Sequence, residues 1–307
     1  MKPIIPMFFF PLKILFIDDN LDLLSSYQYI NIPNEIETES NPLKAYNNLT
    51  KDKLRKIDVF TDITEIIDLD TQSDRNDTVL QFSFDNFIKS IETKNKGYGI
   101  AVIDCKMPLL DGIELCEKLD SKINIIKILL TGEFKPLEAL NAINDGKADH
   151  YIPKGTPTTL DDLISAINNL QMKYFLSTTK NYLDIFEDKF PFLFDNEYST
   201  LFNQLLSKHN IIEFYLISNA ATFVLKSDKS EYYILNSFTE NELNDFCESH
   251  NYLDNVIISK IQNKELIPNF KIPYKCNIHD FTYPALKHGK YYYNMHKVND
   301  IKKLKGD

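Results

Sequence analysis

The sequence predicts an α/β fold, a doubly wound parallel sheet interrupted by one insertion, followed by a second domain of α+β character. Three observations carry this. Short apolar runs end abruptly in acidic or polar residues, amphipathic stretches alternate with those runs, and both habits stop near residue 175. At 307 residues the chain exceeds the usual single core, so two domains are expected, at 1–174 and 175–307.

The first strand is read at Leu12 to Ile17, because LKILFI is a short apolar run that empties into Asp18-Asp19-Asn20, as a buried parallel strand does. A helix follows at Leu21 to Ile30, and another at Pro42 to Leu49, where proline suits the first helical turn. Gly99 to Ile103 is a second buried strand closed by Asp104. Ile125 to Leu130 is a third, closed by Thr131-Gly132, and His150 to Ile152 a fourth, closed by Pro153-Lys154-Gly155. Helical patterns fill Gly112 to Leu119, Pro136 to Asn144 and Leu160 to Phe175. In such a sheet the site lies at the carboxyl ends of the strands, which gathers Asp18, Asp19, Asp104, Thr131 and Lys154 on one edge.

The stretch from about 50 to 96 is too long for a connection in this architecture and is read as an insertion. Asp62 to Asp77, rich in acids, reads as a solvated loop, and Val79 to Ile91 as a strand that continues into a helix. Beyond residue 175, Phe186 to Leu206 reads as a helix and Phe214 to Leu225 with Glu231 to Phe238 as a hairpin. Thr239 opens a helix with Glu242 completing a capping box. The junction near 175 carries no low-complexity linker, which leaves room for a continuous helix.

A formal charge of −10 argues against a general affinity for phosphate backbones or anionic lipid, although residues 255–307 hold ten Lys and Arg against four Asp and Glu. Four separated cysteines give neither a zinc pattern nor a disulfide framework, and a reducing cytoplasm fits. Met1 to Phe10 is apolar but too short and proline-rich for a signal peptide or a span, and no membrane segment is read elsewhere.

Three carboxylates held within roughly 5 Å repel by about 3 kcal/mol per pair at an effective dielectric near 20. Such a cluster calls for a cation, and a hard divalent ion such as Mg²⁺ takes carboxylates, waters and phosphate oxygens. Phosphoryl transfer asks a protein for little more than that ion, positive groups and aligned oxygens. Any one of these acids alone reads as the polar end of a strand. Their joint order, an acidic pair, then Asp, then Thr, then Lys, is what points to a site.

The blocks KILFIDDN, AVIDCKMPLLDG, ILLTGE and ADHYIPKG resemble, in order, the four signature blocks of the receiver domain of two-component response regulators. Spacing agrees, with 27 residues from Asp104 to Thr131 and 23 from Thr131 to Lys154. The resemblance covers residues 12 to about 173 apart from the insertion, and implies a five-stranded sheet. It implies that Asp104 accepts phosphoryl from a phosphohistidine on a sensor histidine kinase or phosphotransfer protein, and that Asp18, Asp19, Asp104 and the Lys106 backbone carbonyl hold Mg²⁺. Thr131 and Lys154 would grip the phosphoryl oxygens, Tyr151 would be the switch aromatic, and phosphorylation would drive a homodimer. The implied activity is that of a signalling phosphoacceptor with slow self-dephosphorylation at most. In two places the chain departs from the family pattern: Pro153 precedes Lys154 and Gly155 follows it, and the insertion is extra. Extended receivers of this layout are similar to quorum-sensing response regulators of the Legionella type.

The C-terminal half shows no helix-turn-helix, GGDEF-like, HD-type or Walker-type block, and its two glycines, Gly289 and Gly306, favour binding over nucleotide hydrolysis or synthesis. Lys260, Lys264, Lys271, Lys275, Lys287, Lys290, Lys297, Lys302, Lys303 and Lys305 are interleaved with aromatics over 260–305, a pattern open to nucleic acid or to a small core with solvated lysines. His279, His288 and His296 match no common metal spacing, and Ser218 and Asp245 lack a nucleophile elbow.

Overall fold

The computed structural model describes residues 3–51, 64–69, 77–82, 97–120, 125–132, 136–186, 190–218, 221–250, 252–269 and 282–299. In chain order it begins with β1 (Phe8–Phe9), β2 (Lys13–Ile17), α1 (Leu21–Tyr27), β3 (Ile36–Glu39) and α2 (Pro42–Lys51). There follow β4 (Thr64–Leu69), β5 (Asp77–Phe82), β6 (Tyr98–Asp104), α3 (Gly112–Asp120), β7 (Ile126–Thr131), α4 (Pro136–Asn144), β8 (His150–Pro153) and α5 (Thr159–Phe186). The rest is a 3₁₀ turn at Pro191–Phe194, α6 (Asn196–Lys208), β9 (Ile211–Ser218), β10 (Thr222–Ser227), β11 (Tyr232–Thr239), α7 (Glu240–Ser249) and α8 (Asn255–Gln262). The last strands are β12 (Leu266–Pro268), β13 (Thr282–Pro284), β14 (Leu286–His288) and β15 (Tyr291–Val298).

The chain divides into two compact units, one of Pro11–Asp62 and Lys89–Tyr174, the other of Met1–Phe10, Ile63–Ile88 and Phe175–Asp307. The boundary expected at 174/175 recurs at Tyr174 and Phe175, whereas the N-terminus and the insertion were expected with the parallel sheet. By packing, Met1–Phe10 and the described part of the insertion go with the C-terminal unit.

In the first unit five strands run parallel in the order β3-β2-β6-β7-β8. Every residue of β6 and β7 is buried, which is why those strands read as unbroken apolar runs rather than alternating ones. The fifth strand, β3, was not read directly from the sequence. Its IETE lies at the sheet edge with no residue fully buried, so no apolar run announces it. One face packs Leu15, Ile17, Ala101, Ile103 and Leu129 against Leu115 and Leu119 of α3 and Ala45 and Leu49 of α2.

The second unit is built on a six-stranded antiparallel sheet, β1-β9-β10-β11-β15-β14. Phe202 of α6 meets Phe214 at 5.0 Å and Phe223 at 4.8 Å between ring centroids, and Tyr198 meets Tyr291 at 4.9 Å. Such buried rings dominate the energetics of a small core. A separate cluster joins Leu243, Ile257, Ile261 and Ile267.

Four expectations are corrected here. The acidic stretch Asp62 to Asp77 is not loop throughout, since β4 occupies Thr64–Leu69 and pairs antiparallel with β5 in a two-stranded sheet. Phe186 to Leu206 is not one helix: Pro191, which cannot continue an interior hydrogen-bond ladder, opens the 3₁₀ turn, and Asp195 then caps α6 by accepting from the Glu197 and Tyr198 amides. Phe214 to Leu225 is two strands rather than one, with Ala221 at φ 45° on the turn side of β10. The helix read at Leu160 to Phe175 ends later than expected, at Phe186, and is the continuous helix across the junction for which the missing linker left room. The helical part of Val79 to Ile91 lies outside the described residues, as do His279, Lys271, Lys275, Lys302, Lys303 and Lys305.

Candidate phosphoacceptor site

Strand order reverses beside β2, and open α/β sheets place their sites at such a switch point, outside the carboxyl ends of the strands. Ile17 pairs with Ile103, so one step further the chain delivers Asp18 beside Asp104. Asp18 is 2% exposed and Asp104 7%. Asp19 is exposed, and one carboxylate oxygen from each of Asp18, Asp19 and Asp104 lies within 4.8 Å of the other two. A six-coordinate Mg²⁺ shell is about 4 Å across, so this donor set fits a hard cation with a small inward adjustment.

Local chemistry holds each acid in place. Asp18 Oδ1 accepts from the Asn20 amide at 2.9 Å, and Asn20 Oδ1 caps α1 by accepting from the amides of Asp22 at 3.0 Å and Leu23 at 3.2 Å. Asp104 Oδ2 accepts from the Lys106 amide at 2.9 Å. The other oxygens are bridged by Lys154, whose ammonium donates to Asp18 Oδ2 at 2.6 Å and to Asp104 Oδ1. Its backbone amide donates to the Thr131 carbonyl at 2.6 Å, which ties the lysine loop to the end of β7.

Burial pushes the Asp104 carboxyl above its ordinary value of 3.8, against the opposing pull of Lys154. For Lys154 burial acts downward, but the bonds to Asp104 and Asp18 outweigh it, and the ammonium titrates above its ordinary 10.5. The Cys105 thiol beside Asp104 is pushed up to about 12 by burial and by the Asp104 charge, so it is no nucleophile at neutral pH.

The structure thus brings together Asp18, Asp19, Asp104 and Lys154, with Lys106 entering through its amide. Thr131 is buried at the end of β7 and shares a 210 Å³ recess with Cys105, Lys106 and Glu138. Tyr151 lies on β8, half-buried, and lines a separate 370 Å³ cleft with Asp162, Asn169 and Lys173. One contributor was missed in the sequence reading. A Cβ on Gly112 would stand 2.3 Å from the Asp104 carbonyl oxygen, so only glycine lets α3 start this close to Asp104. Its signal was the glycine that follows Asp111 in the second block.

The basic stretch of the C-terminal half is largely neutralised where it is described. Lys264 pairs with Glu240 at 2.5 Å, Lys290 with Asp195, and Lys297 with Glu231 at 2.6 Å. Lys287 lies 5.3 Å over the Tyr292 ring, and His296 stacks on Tyr283 at 4.0 Å. Among the described residues the three aspartates form the sole candidate metal group, and no helix is long and apolar enough to cross a membrane.

No protein-family profile and no curated protein matches the chain. Among solved structures, it is similar to the Legionella pneumophila response regulator LqsR over 97% of this chain and 91% of that one, at 22% identity and a TM-score of 0.70. The receiver domain of Francisella response regulator 1452 matches 53% of this chain and 99% of its own, at 21% identity and a TM-score of 0.34. An adenylate cyclase from Rhodopirellula baltica matches 56% of this chain and 96% of its own, at 20% identity and a TM-score of 0.37. The chain therefore has the fold of the LqsR structure, and its five-stranded parallel sheet with helices fits the receiver-domain fold.

Proposed function

We propose that the chain is a phosphorylation switch in which Asp104 takes a phosphoryl group from a histidine kinase or phosphotransfer protein. The observation that supports this best is the buried Asp18 and Asp104 pair bridged by Lys154, with Asp19 completing the acidic cluster at the sheet's switch point. An Asp104 carboxylate oxygen attacks the phosphorus, the N–P bond of the phosphohistidine breaks, and the imidazole nitrogen leaves with the electron pair. Mg²⁺ held by Asp18, Asp19, Asp104 and the Lys106 carbonyl would offset the charge of an incoming dianion among carboxylates. Lys154 releases Asp104 and turns to the phosphoryl oxygens, joined by the Thr131 hydroxyl. Exposed leucines flank the site in sequence, Leu21 at 66% just past the acidic pair and Leu109 at 75% just past the acceptor, which suits a protein donor.

The C-terminal unit acts as the output, switched by dimerisation and by binding a partner rather than by catalysis. With three of the described lysines already paired to acids, a protein partner fits the described surface better than a nucleic acid. A second reading, a nucleotide-processing output gated by phosphorylation, has no cluster of acids and phosphate-gripping glycines behind it among the described residues of the C-terminal unit. The test is intact mass after acetyl phosphate with Mg²⁺. One added phosphoryl that disappears in Asp104→Asn is expected, and a shift that survives Asp104→Asn overturns the assignment.

A further inference from the structure

The first ten residues precede the receiver in the chain but are built into the other unit. Phe8 and Phe9 pair antiparallel with Tyr215 and Phe214 at the edge of the six-stranded sheet. The Leu216 amide donates to the Met7 carbonyl at 2.7 Å, and the Ile4 amide to the Leu193 carbonyl at 2.9 Å. The Met7 amide donates to Thr179 Oγ1 at 2.9 Å, and Thr179 is fully buried on α5. A two-residue edge strand is not held by its ladder alone. Here the aromatic rings hold it: Phe8, Phe9 and Phe10 each meet Phe175, at 5.6, 5.2 and 5.0 Å.

A matching clamp sits on the receiver's own side. The Leu12 amide donates to Gln171 Oε1 at 2.8 Å, and Asn34 Nδ2 donates both to that oxygen at 2.9 Å and to the Leu12 carbonyl at 2.7 Å. Gln171 is 1% exposed. The chain crosses between the units four times, and two of these crossings lie in the described residues, at Phe10–Pro11 and at Tyr174–Phe175; both of these passages are pinned to α5, through Gln171 on one side and Phe175 on the other.

We propose that residues 4–10 are a strap of the C-terminal domain, that the receiver is an insertion within that domain, and that its signal leaves through both passages together. β2 runs from Lys13 directly to Asp18, so a shift at the acidic cluster is carried back to the strap without passing through α5. The regulatory half of this rests on phosphorylation of Asp104, whereas the structural half does not.

The test is amide hydrogen exchange on the full chain, on a chain lacking residues 2–10, and on one with a short Gly-Ser insertion between Phe10 and Pro11. Without residues 2–10, protection of Ile211–Ser218 and Thr222–Ser227 is expected to fall about tenfold or more, while Tyr98–Asp104 stays protected. Full protection of those strands, or loosening of Tyr98–Asp104 instead, overturns the strap. If the deleted chain does not fold, Thr179→Val replaces it, and unchanged exchange at Met7–Phe9 and Ile211–Ser218 then counts against the strap. The inserted chain should remain fully protected and be phosphorylated, yet lose at least half of the phosphorylation-induced change at Ile211–Ser218. A response equal to wild type, or none in wild type, rejects the two-passage route. No labelling of Asp104 in any of the three chains rejects the phosphoacceptor reading and with it this route, and leaves the strap to be judged by the deletion.

Discussion

In the proposed switch Asp104 is asked to be two things that conflict, a buried residue and a charged nucleophile. Burial raises its pKa, so the reactive carboxylate is scarcer in acid than for an ordinary aspartate, and the folded state is penalised as pH climbs through that raised value. The rate of labelling by acetyl phosphate should rise with pH with a midpoint above 3.8, and a rate already flat from that value upward would contradict the burial effect. Lys154 carries the opposite linkage. Its raised pKa contributes stability present below 10.5 and lost as pH rises through the folded value, so Lys154→Met should flatten the alkaline limb of stability measured in urea. Gly112→Ala brings a methyl group to 2.3 Å from the Asp104 carbonyl oxygen. Either the acceptor or α3 must move, and we expect a loss of about 1–3 kcal/mol in urea denaturation together with slower labelling.

At the scale of elements, the proposed phosphoryl chemistry hangs on the ends of β2, β6, β7 and β8 and asks nothing of the hairpin of β4 and β5. Deleting residues 64–82 should leave Mg²⁺-dependent labelling of Asp104 nearly intact, and a folded deletion that no longer labels would show that the hairpin completes the site. In the C-terminal unit, α7 is entered through a reciprocal capping box, Thr239 Oγ1 accepting from the Glu242 amide at 3.3 Å while a Glu242 oxygen accepts from the Thr239 amide at 2.6 Å. Thr239→Ala should therefore cost about 1 kcal/mol, read in the unfolding of the C-terminal unit and absent from that of the receiver.

For the molecule as a whole, the proposed switch has to convert two added charges at Asp104 into a change of partner. A shift from 1:99 to 99:1 needs about 5.5 kcal/mol of differential stabilisation, more than one hydrogen bond from Thr131 supplies. The movement must therefore recruit several groups, and Tyr151 with its 370 Å³ cleft against α5 offers room for one of them. Sedimentation should show a phosphorylation-enhanced homodimer in the wild type and a weakened response in Thr131→Ala. A phosphorylated protein that stays monomeric across micromolar concentrations would reject dimerisation as the output.

The placement of Asp18, Asp19, Asp104, Thr131 and Lys154 at one edge of the sheet was legible in the sequence because a parallel strand buried on both faces is an uninterrupted apolar run, and the first polar residue after it marks the sheet's carboxyl edge. Capping at Thr239 was legible for a similar reason, since the reciprocal bonds span only three residues. The edge strand β3 was not, because IETE buries no continuous apolar run and acquires its conformation from β2, and the hairpin strand β4 acquires its conformation by pairing with β5. The lysine stripe looked free in sequence and proved largely paired where it is described, since Asp195 and Glu231 lie 95 and 66 residues away from Lys290 and Lys297. Domain membership was decided in the same way. Met1 to Phe10 carries no local mark of belonging with residues beyond 175, and only long-range pairing with Tyr215 and stacking on Phe175 assign it there, because burial is a property of the folded neighbourhood and not of a residue's position in the chain.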